Sequence, residues 1–259
     1  MKTIADDKQT NILKEQFIPD NVFVYIANGA ICFFDTHKNY IFKTGDCGIA
    51  RKNYLLKYKL LESKENFDPI IFCFDEPFLV NFQKKYQIKT IDFKGEEPCI
   101  KISKTKMIEK FIQSLEPYHK GVMQLDDTFE DLKYEELLLI LLKHQPELSG
   151  LLFDFEKPGR LNLEAFMNRN FRFNVSVERF AFLTGRSVSA FKRDFAAIFN
   201  KTPSRWLVQR RLEEAYFLMN EKKKKPSEIY IDLGFESLSH FSVSFKKQFG
   251  IKPTEVNRS

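Results

Sequence analysis

Two blocks near the C-terminus carry the residues best suited to chemistry: "SAFKRDFAAIFNKTP" (Ser189 to Pro203) and "SHFSVSFKKQFGIKP" (Ser239 to Pro253). Laid on each other, they match Phe191, Phe195, Phe199 and Pro203 with Phe241, Phe245, Phe249 and Pro253. Phenylalanine every four residues makes one buried helix face and leaves the opposite face to other work. That free face offers Ser189, Lys192 and Arg193 in the first block, and Ser239, His240 and Ser242 with Lys246 in the second. Short hydroxyls, an imidazole and cations on a protruding helix can hydrogen-bond base edges in a groove about 12 Å wide and neutralise phosphates. The phenylalanines themselves read as core.

What positions these side chains is legible nearby. A second helical segment precedes each block and ends in glycine: Ser176 to Thr184 before Gly185, and Ser227 to Leu233 before Gly234. Glycine at such a junction takes the left-handed conformation that turns the next helix away steeply, and Ser187 and Ser237 can cap the exposed amides of that helix. Each repeat is therefore helix, glycine turn, helix. Between them Thr202 reads as an N-cap and Pro203 as the first position of a helix to Asn220. At 1.5 Å per residue it spans about 27 Å, a bridge able to hold two readers roughly one DNA turn, about 34 Å, apart.

Charge points the same way. Residues 1–158 hold 22 Lys+Arg against 25 Asp+Glu, a net of −3, whereas residues 159–259 hold 19 against 10, a net of +9. All the arginines but Arg51 lie in the second part, and the guanidinium fork suits phosphates and guanine edges. Lysines 222–225 fall in the loop after the bridging helix; a phosphate-facing or solvated loop suits them better than RNA or membrane contact.

The N-terminal part reads as strands over Val22–Ala27, Ala30–Asp35, Tyr40–Lys43, Tyr54–Leu61 and Ile70–Phe74, with Asn28-Gly29 as a hairpin turn and Thr44-Gly45-Asp46 as another. Helices follow at Pro77–Tyr86, from a Ser103 cap to about Leu115, and at Phe129–His144. In the last, leucines cover more of the circumference than one core stripe needs. It is either sandwiched inside the domain or also faces a second copy, which would meet Leu137, Leu138 and Leu141. Pro146, Gly150, Pro158 and Gly159 break the periodicity. The fold class is α+β, in three parts: a small β-barrel (cupin-like) sensor and dimerisation domain with trailing helices at 1–148, a linker at 149–160, and an all-α DNA-binding domain at 161–259.

The C-terminal hundred residues resemble the AraC/XylS-type transcription regulators, in "SVERFAFLTGRSVSAFKRDF" (Ser176 to Phe195), "TPSRWLVQRRLEEAYFLM" (Thr202 to Met219) and "LGFESLSHFSVSFKKQFGIKP" (Leu233 to Pro253). The resemblance implies a seven-helix module whose two recognition helices enter successive major grooves, and activation by contact with RNA polymerase. Its DNA-facing positions fall on Ser189, Lys192 and Arg193, and on Ser239, His240, Ser242 and Val243. Three departures stand out. Tyr230 replaces a small residue where two helices cross, Val243 replaces a common arginine, and Val256 with Asn257 replaces an aromatic-arginine end, so that the last helix is expected to dock weakly. The N-terminal part is similar to the family's barrel sensor domains in element order and in "GDCGIARKN" (Gly45 to Asn53). "LKYEELLLILLKHQPELSGLLFDF" (Leu132 to Phe155) is similar to the dimerising helix of the subset related to type III secretion activators.

Other classes fare poorly. A metal-dependent barrel enzyme with an attached DNA-binding module needs clustered histidines, and His37, His119, His144 and His240 are scattered. A DNA-repair adaptor that accepts methyl groups on a zinc-bound cysteine needs closer spacing than Cys32, Cys47, Cys73 and Cys99 have. No nucleophile elbow, P-loop or dinucleotide fingerprint occurs. The expectation is a non-enzymatic regulator without cofactor or metal, working on double-stranded DNA with RNA polymerase, as a homodimer answering an unidentified small-molecule or protein effector. Met1 to Thr10 is charged where a signal peptide is apolar, and the longest apolar run is Leu137–Leu142, which predicts a cytoplasmic protein without membrane contact.

Overall fold

The computed structural model describes residues 16–36, 38–61, 67–118 and 127–256. The charged start at Met1 to Thr10, the histidines His37 and His119, and Asn257 lie outside them. The chain divides into two compact units, Met1–Glu156 and Lys157–Ser259.

Among the described residues of the first unit, nine strands form three antiparallel sheets: β1 (Phe17–Ile18) with β6 (Tyr54–Leu55); β8 (Asp68–Phe74), β2 (Asn21–Asn28), β5 (Cys47–Ala50) and β9 (Cys99–Ile102) in that order; and β4 (Asn39–Lys43), β3 (Ala30–Phe34) and β7 (Lys57–Leu60). Among the described residues these sheets do not close into a barrel. The four-stranded sheet is buried on both faces. Phe23, Ile49, Ile70 and Phe72 pack towards the helices, whereas Val22, Val24, Ile26 and Ala50 pack with Ile31, Phe33 and Phe42 of the three-stranded sheet. Period-2 alternation with both faces apolar explains the continuous run of β2.

Asn28-Gly29 does not make the hairpin its sequence suggests, because β2 and β3 lie in different sheets. Instead β2–β3 and β4–β5 form one long ribbon that bends at this point, with Gly29 (φ 91°) opposite Gly45 (φ 82°). Thr44 Oγ1 stitches the bend by accepting from Gly29 N at 3.0 Å. The reversal itself falls at Asp35–Lys38, where the Lys38 amide donates to the Asp35 carboxylate.

Four helices cover the outer face: α1 (Glu76–Tyr86), capped by Asp75; α2 (Lys106–Gln113), capped by Thr105 rather than Ser103; α3 (Asp127–His144); and α4 (Leu148–Leu152). Leu137, Leu138 and Leu141 of α3, expected on a dimer face, are fully enclosed in the core together with Leu148, Leu151 and Leu152. Leucines spread round its second half because sheet and helices pack on it from several sides, while Asp131, Glu136 and Lys143 are exposed. The large apolar side chains it leaves exposed are Phe129 (46%), Leu132 (57%) and Leu139 (40%).

The first unit also runs past residue 148. Helix α4 occupies part of the expected linker, and Gly150 is a packing glycine: a Cβ there would overlap the Ile91 carbonyl, while the Ser149 hydroxyl accepts from Ile91 N at 3.0 Å.

The second unit is helical: α5 (Leu163–Asn170), α6 (Val177–Leu183), α7 (Val188–Phe199), α8 (Pro203–Asn220), α9 (Pro226–Ile229), α10 (Leu238–Phe249) and a 3-10 turn at Pro253–Glu255. Of the seventh helix implied by resemblance, the described residues hold that turn. It is nonetheless docked, since Val256 is buried with Phe241, Phe245 and Leu233.

Candidate nucleic-acid interface

Both helix-turn-helix units are built by the same local chemistry. Helix α6 ends in a Schellman motif, with Gly185 N donating to Phe182 O and Arg186 N to Ala181 O, and Gly185 at φ 64°. Ser187 then caps α7 by accepting from Ala190 N. In the second unit Gly234 N donates to Ile231 O and Phe235 N to Tyr230 O, Gly234 has φ 82°, and Ser237 caps α10 through His240 N. Regular helix stops at Ile229 there, short of the expected Leu233, and residues 230–233 run on as turns with Tyr230 half-buried.

Core phenylalanines fix the rotation of the two exposed helices. Phe191 and Phe195 of α7 are fully buried, and Phe195 and Phe199 pack on Trp206 of α8. Phe241 and Phe245 are buried likewise, with Tyr216 of α8 stacked on Phe245. The bridge therefore holds both units, one near each end. This rotation leaves Ser189, Lys192 and Arg193 exposed on α7, and Ser239, His240, Val243 and Lys246 exposed on α10; Ser242 is half-buried.

One arginine locks each turn, half-buried Arg186 at the first and buried Arg211 at the second. Arg186 donates to Thr184 O at 2.7 Å and Leu161 O at 3.0 Å, and pairs with Asp194 of α7 at 3.2 Å. Arg211 of α8, 7% exposed, donates to the carbonyls of Phe171 (2.7 Å), Phe173 (2.7 Å) and Gly234 (2.9 Å). Burial lowers its pKa to about 10, so it stays cationic at neutral pH. A Cβ on Gly234 would lie 2.8 Å from Arg211 Cζ, so the turn needs glycine for space as well as for φ. Asp194 also receives Arg160 (3.0 Å) and Arg193 (3.2 Å). The hydrogen bonds from Arg186 and Arg193 hold its carboxyl below the usual carboxylate range.

Two family models match the chain: the ExsA N-terminal regulatory domain over residues 21–151, and a helix-turn-helix domain over residues 180–259. The chain belongs to the ExsA-type branch of the AraC/XylS family. It is 30% identical over 128 residues to the virulence regulon transcriptional activator VirF of Yersinia enterocolitica (48% of this chain, 47% of the relative). It is 26% identical over 125 residues to the HTH-type transcriptional regulator ExsA of Pseudomonas aeruginosa (48% of this chain, 45% of the relative). The chain thus spans about half the length of these curated relatives. Among solved structures, a variant of apo ToxT from Vibrio cholerae aligns over 93% of this chain and 89% of its own at 14% identity, with a TM-score of 0.45.

In this AraC/XylS-type module the expected reading residues share two exposed helix faces, and Gly185 and Gly234 stand at the two turns. Sequence reasoning missed Arg186, Arg211 and Asp194. Arginine is mostly a surface residue, and the partners of Arg211 are backbone carbonyls, which no side-chain pattern displays.

Proposed function

We propose that this chain is a sequence-specific regulator of transcription that binds double-stranded DNA through α7 and α10 in successive major grooves, and that it acts as an activator through RNA polymerase. The observation that carries this is the pair of polar, exposed faces on two equivalently capped helices, joined by the 18-residue α8. Ser189, Lys192, Arg193, Ser239, His240, Ser242 and Lys246 are the DNA-contacting set. That the relative VirF is a transcriptional activator supports the direction of regulation.

The first unit is read as the sensor, an open relative of the small cupin-like barrel, and its exposed leucines Leu132 and Leu139 as the surface for a second copy. A cleft of about 530 Å³ lined by Tyr25, Ile70, Ile112 and Glu109 is the place for an effector. Binding rather than catalysis is the activity. Burial pushes the thiols of Cys47, Cys73 and Cys99 up to about 11 or 12, far from a reactive thiolate. Unpaired cysteines fit a reducing cytoplasm, and no helix among the described residues is long and apolar enough to cross a membrane.

The test is titration of a labelled duplex, taken from a selection on random DNA, with the full chain across a salt series. Log affinity should fall with log salt with a slope of about −5 to −8, as six to nine neutralised phosphates require. A flat response would refute the proposal.

A further inference from the structure

The two reading helices differ at the point where their repeats coincide. Arg193 and Val243 occupy matching positions, each two residues after one core phenylalanine and two before the next. At about 100° per residue, two steps either way reach the crest of the face turned from the core. The Arg193 side chain is 75% exposed there. Val243 is 70% exposed, more than any other large hydrophobic residue described. Single exposed apolar side chains are common on protein surfaces, but this one stands at the centre of a presented face. Ser239 lies one turn before it, and Lys246 and Lys247 lie one turn after it.

We propose that Val243 is a specificity-determining residue that reads the 5-methyl group of a thymine, so that the two helices select opposite base chemistry: a guanine edge under Arg193 and a thymine methyl under Val243. This rests on the DNA-binding function proposed above. In the major groove thymine alone presents an apolar group. Valine has no donor or acceptor on its side chain, so against any other base it desolvates polar edge atoms without replacing their hydrogen bonds. Against a methyl it loses nothing and gains contact area. Ser239 can bond a neighbouring base edge, and the two lysines reach towards phosphate, which leaves the methyl contact to discriminate at this step.

The experiment uses the full chain and a duplex taken from selection on a random-sequence pool. Each thymine of the selected site is replaced in turn by deoxyuridine, which removes the methyl and keeps base pairing. Affinity should drop about fourfold at one or two thymines in one half of the site, the equivalent of one buried methyl. Val243→Ala should weaken the parent site by a similar factor and abolish the response to deoxyuridine at those positions. Arg193→Ala should leave that response in place. Unchanged deoxyuridine sensitivity in Val243→Ala, or no sensitive thymine in the wild-type protein, overturns the proposal. So does a Val243→Ala variant that binds every duplex normally yet activates transcription poorly, which would put the valine against a protein. Failure of the DNA-binding reading looks different: selection would then enrich no sequence at all.

Discussion

Replacing Arg211 with methionine tests how the second reading helix is held. The side chain makes three hydrogen bonds from a charged donor to the buried carbonyls of Phe171, Phe173 and Gly234. Bonds of that kind contribute about 1.5–3 kcal/mol each, or about 4.5–9 in all. Burying the cation opposes this by roughly 3 kcal/mol, the size implied by a pKa drawn down to about 10. The net loss expected for Arg211→Met is therefore about 1.5–6 kcal/mol, which spans the cost of stripping partners from other buried charge networks. Arg211→Lys should recover only part of it, because one ammonium cannot span three carbonyls set for a planar fork.

Urea unfolding of the full chain is the assay. Trp206 is the only tryptophan, and it is buried between Phe195 and Phe199 in the second unit, so its fluorescence follows that unit alone. Alongside the shift in midpoint, DNA contacts of α10 should weaken more than those of α7, since Arg211 grips the turn that leads into α10. A methionine variant within about 0.5 kcal/mol of wild type would refute the reasoning, for it would mean that the three carbonyls find other partners at no cost.

Three further outcomes follow from the same geometry. Arg193→Ala should cost about 1–3 kcal/mol on the selected site and relax preference at one base pair; equal losses on selected and random duplexes in titration would assign it to phosphate. Leu132→Lys with Leu139→Lys should leave the fold intact and weaken self-association in sedimentation, whereas Leu137→Ala, inside the core, should cost about 2–5 kcal/mol of stability. Asp194 has its pKa lowered in the folded protein, so its contribution is complete above its unfolded pKa, about 3.9, and is lost as pH falls through the lower folded value. Acid titration of Trp206 fluorescence should show that limb flattened in Asp194→Asn.

The second unit was legible because its signals are local. Phenylalanine spacing, serine caps and turn glycines each act within a few residues, and the structure places them where the sequence does. The first unit depends on pairings far apart in sequence. Strands β5 ("CGIA") and β9 ("CIKI") are too short to show a period, yet they pair with each other 50 residues apart and complete the central sheet. Asn28-Gly29 marks a real departure from strand conformation, Gly29 having φ 91°, but it is a bend and not a reversal, and it depends on Thr44 and Gly45 across the ribbon. Gly150 read as a breaker because the sequence cannot show the Ile91 carbonyl against it. The leucines of α3 left burial and a second copy as alternatives; Leu137, Leu138 and Leu141 are buried by a sheet and helices that the local sequence does not display.

The arginine skew that first pointed to DNA is partly used up inside the protein, and this bears on the salt dependence. Arg186 and Arg211 hold the turns. Arg160 and Arg193 meet at Asp194, Arg172 pairs with Glu214, and Arg210 pairs with Glu213. The net of +9 therefore overstates the cations ready for phosphate. Lysines are the better partners: Lys192 on α7, Lys222, Lys224 and Lys225 in the loop after α8, and Lys246 and Lys247 on α10, all exposed. Six phosphates neutralised by these six lysines give a slope of about −5, at the shallow end of the range for this function. Changing the three loop lysines to glutamine should reduce the slope by about 3 while leaving base preference unaltered. A wild-type slope steeper than about −8 would mean that DNA pulls the arginines out of their ion pairs, and the assignment of Arg186 and Asp194 to holding the first turn would then fail.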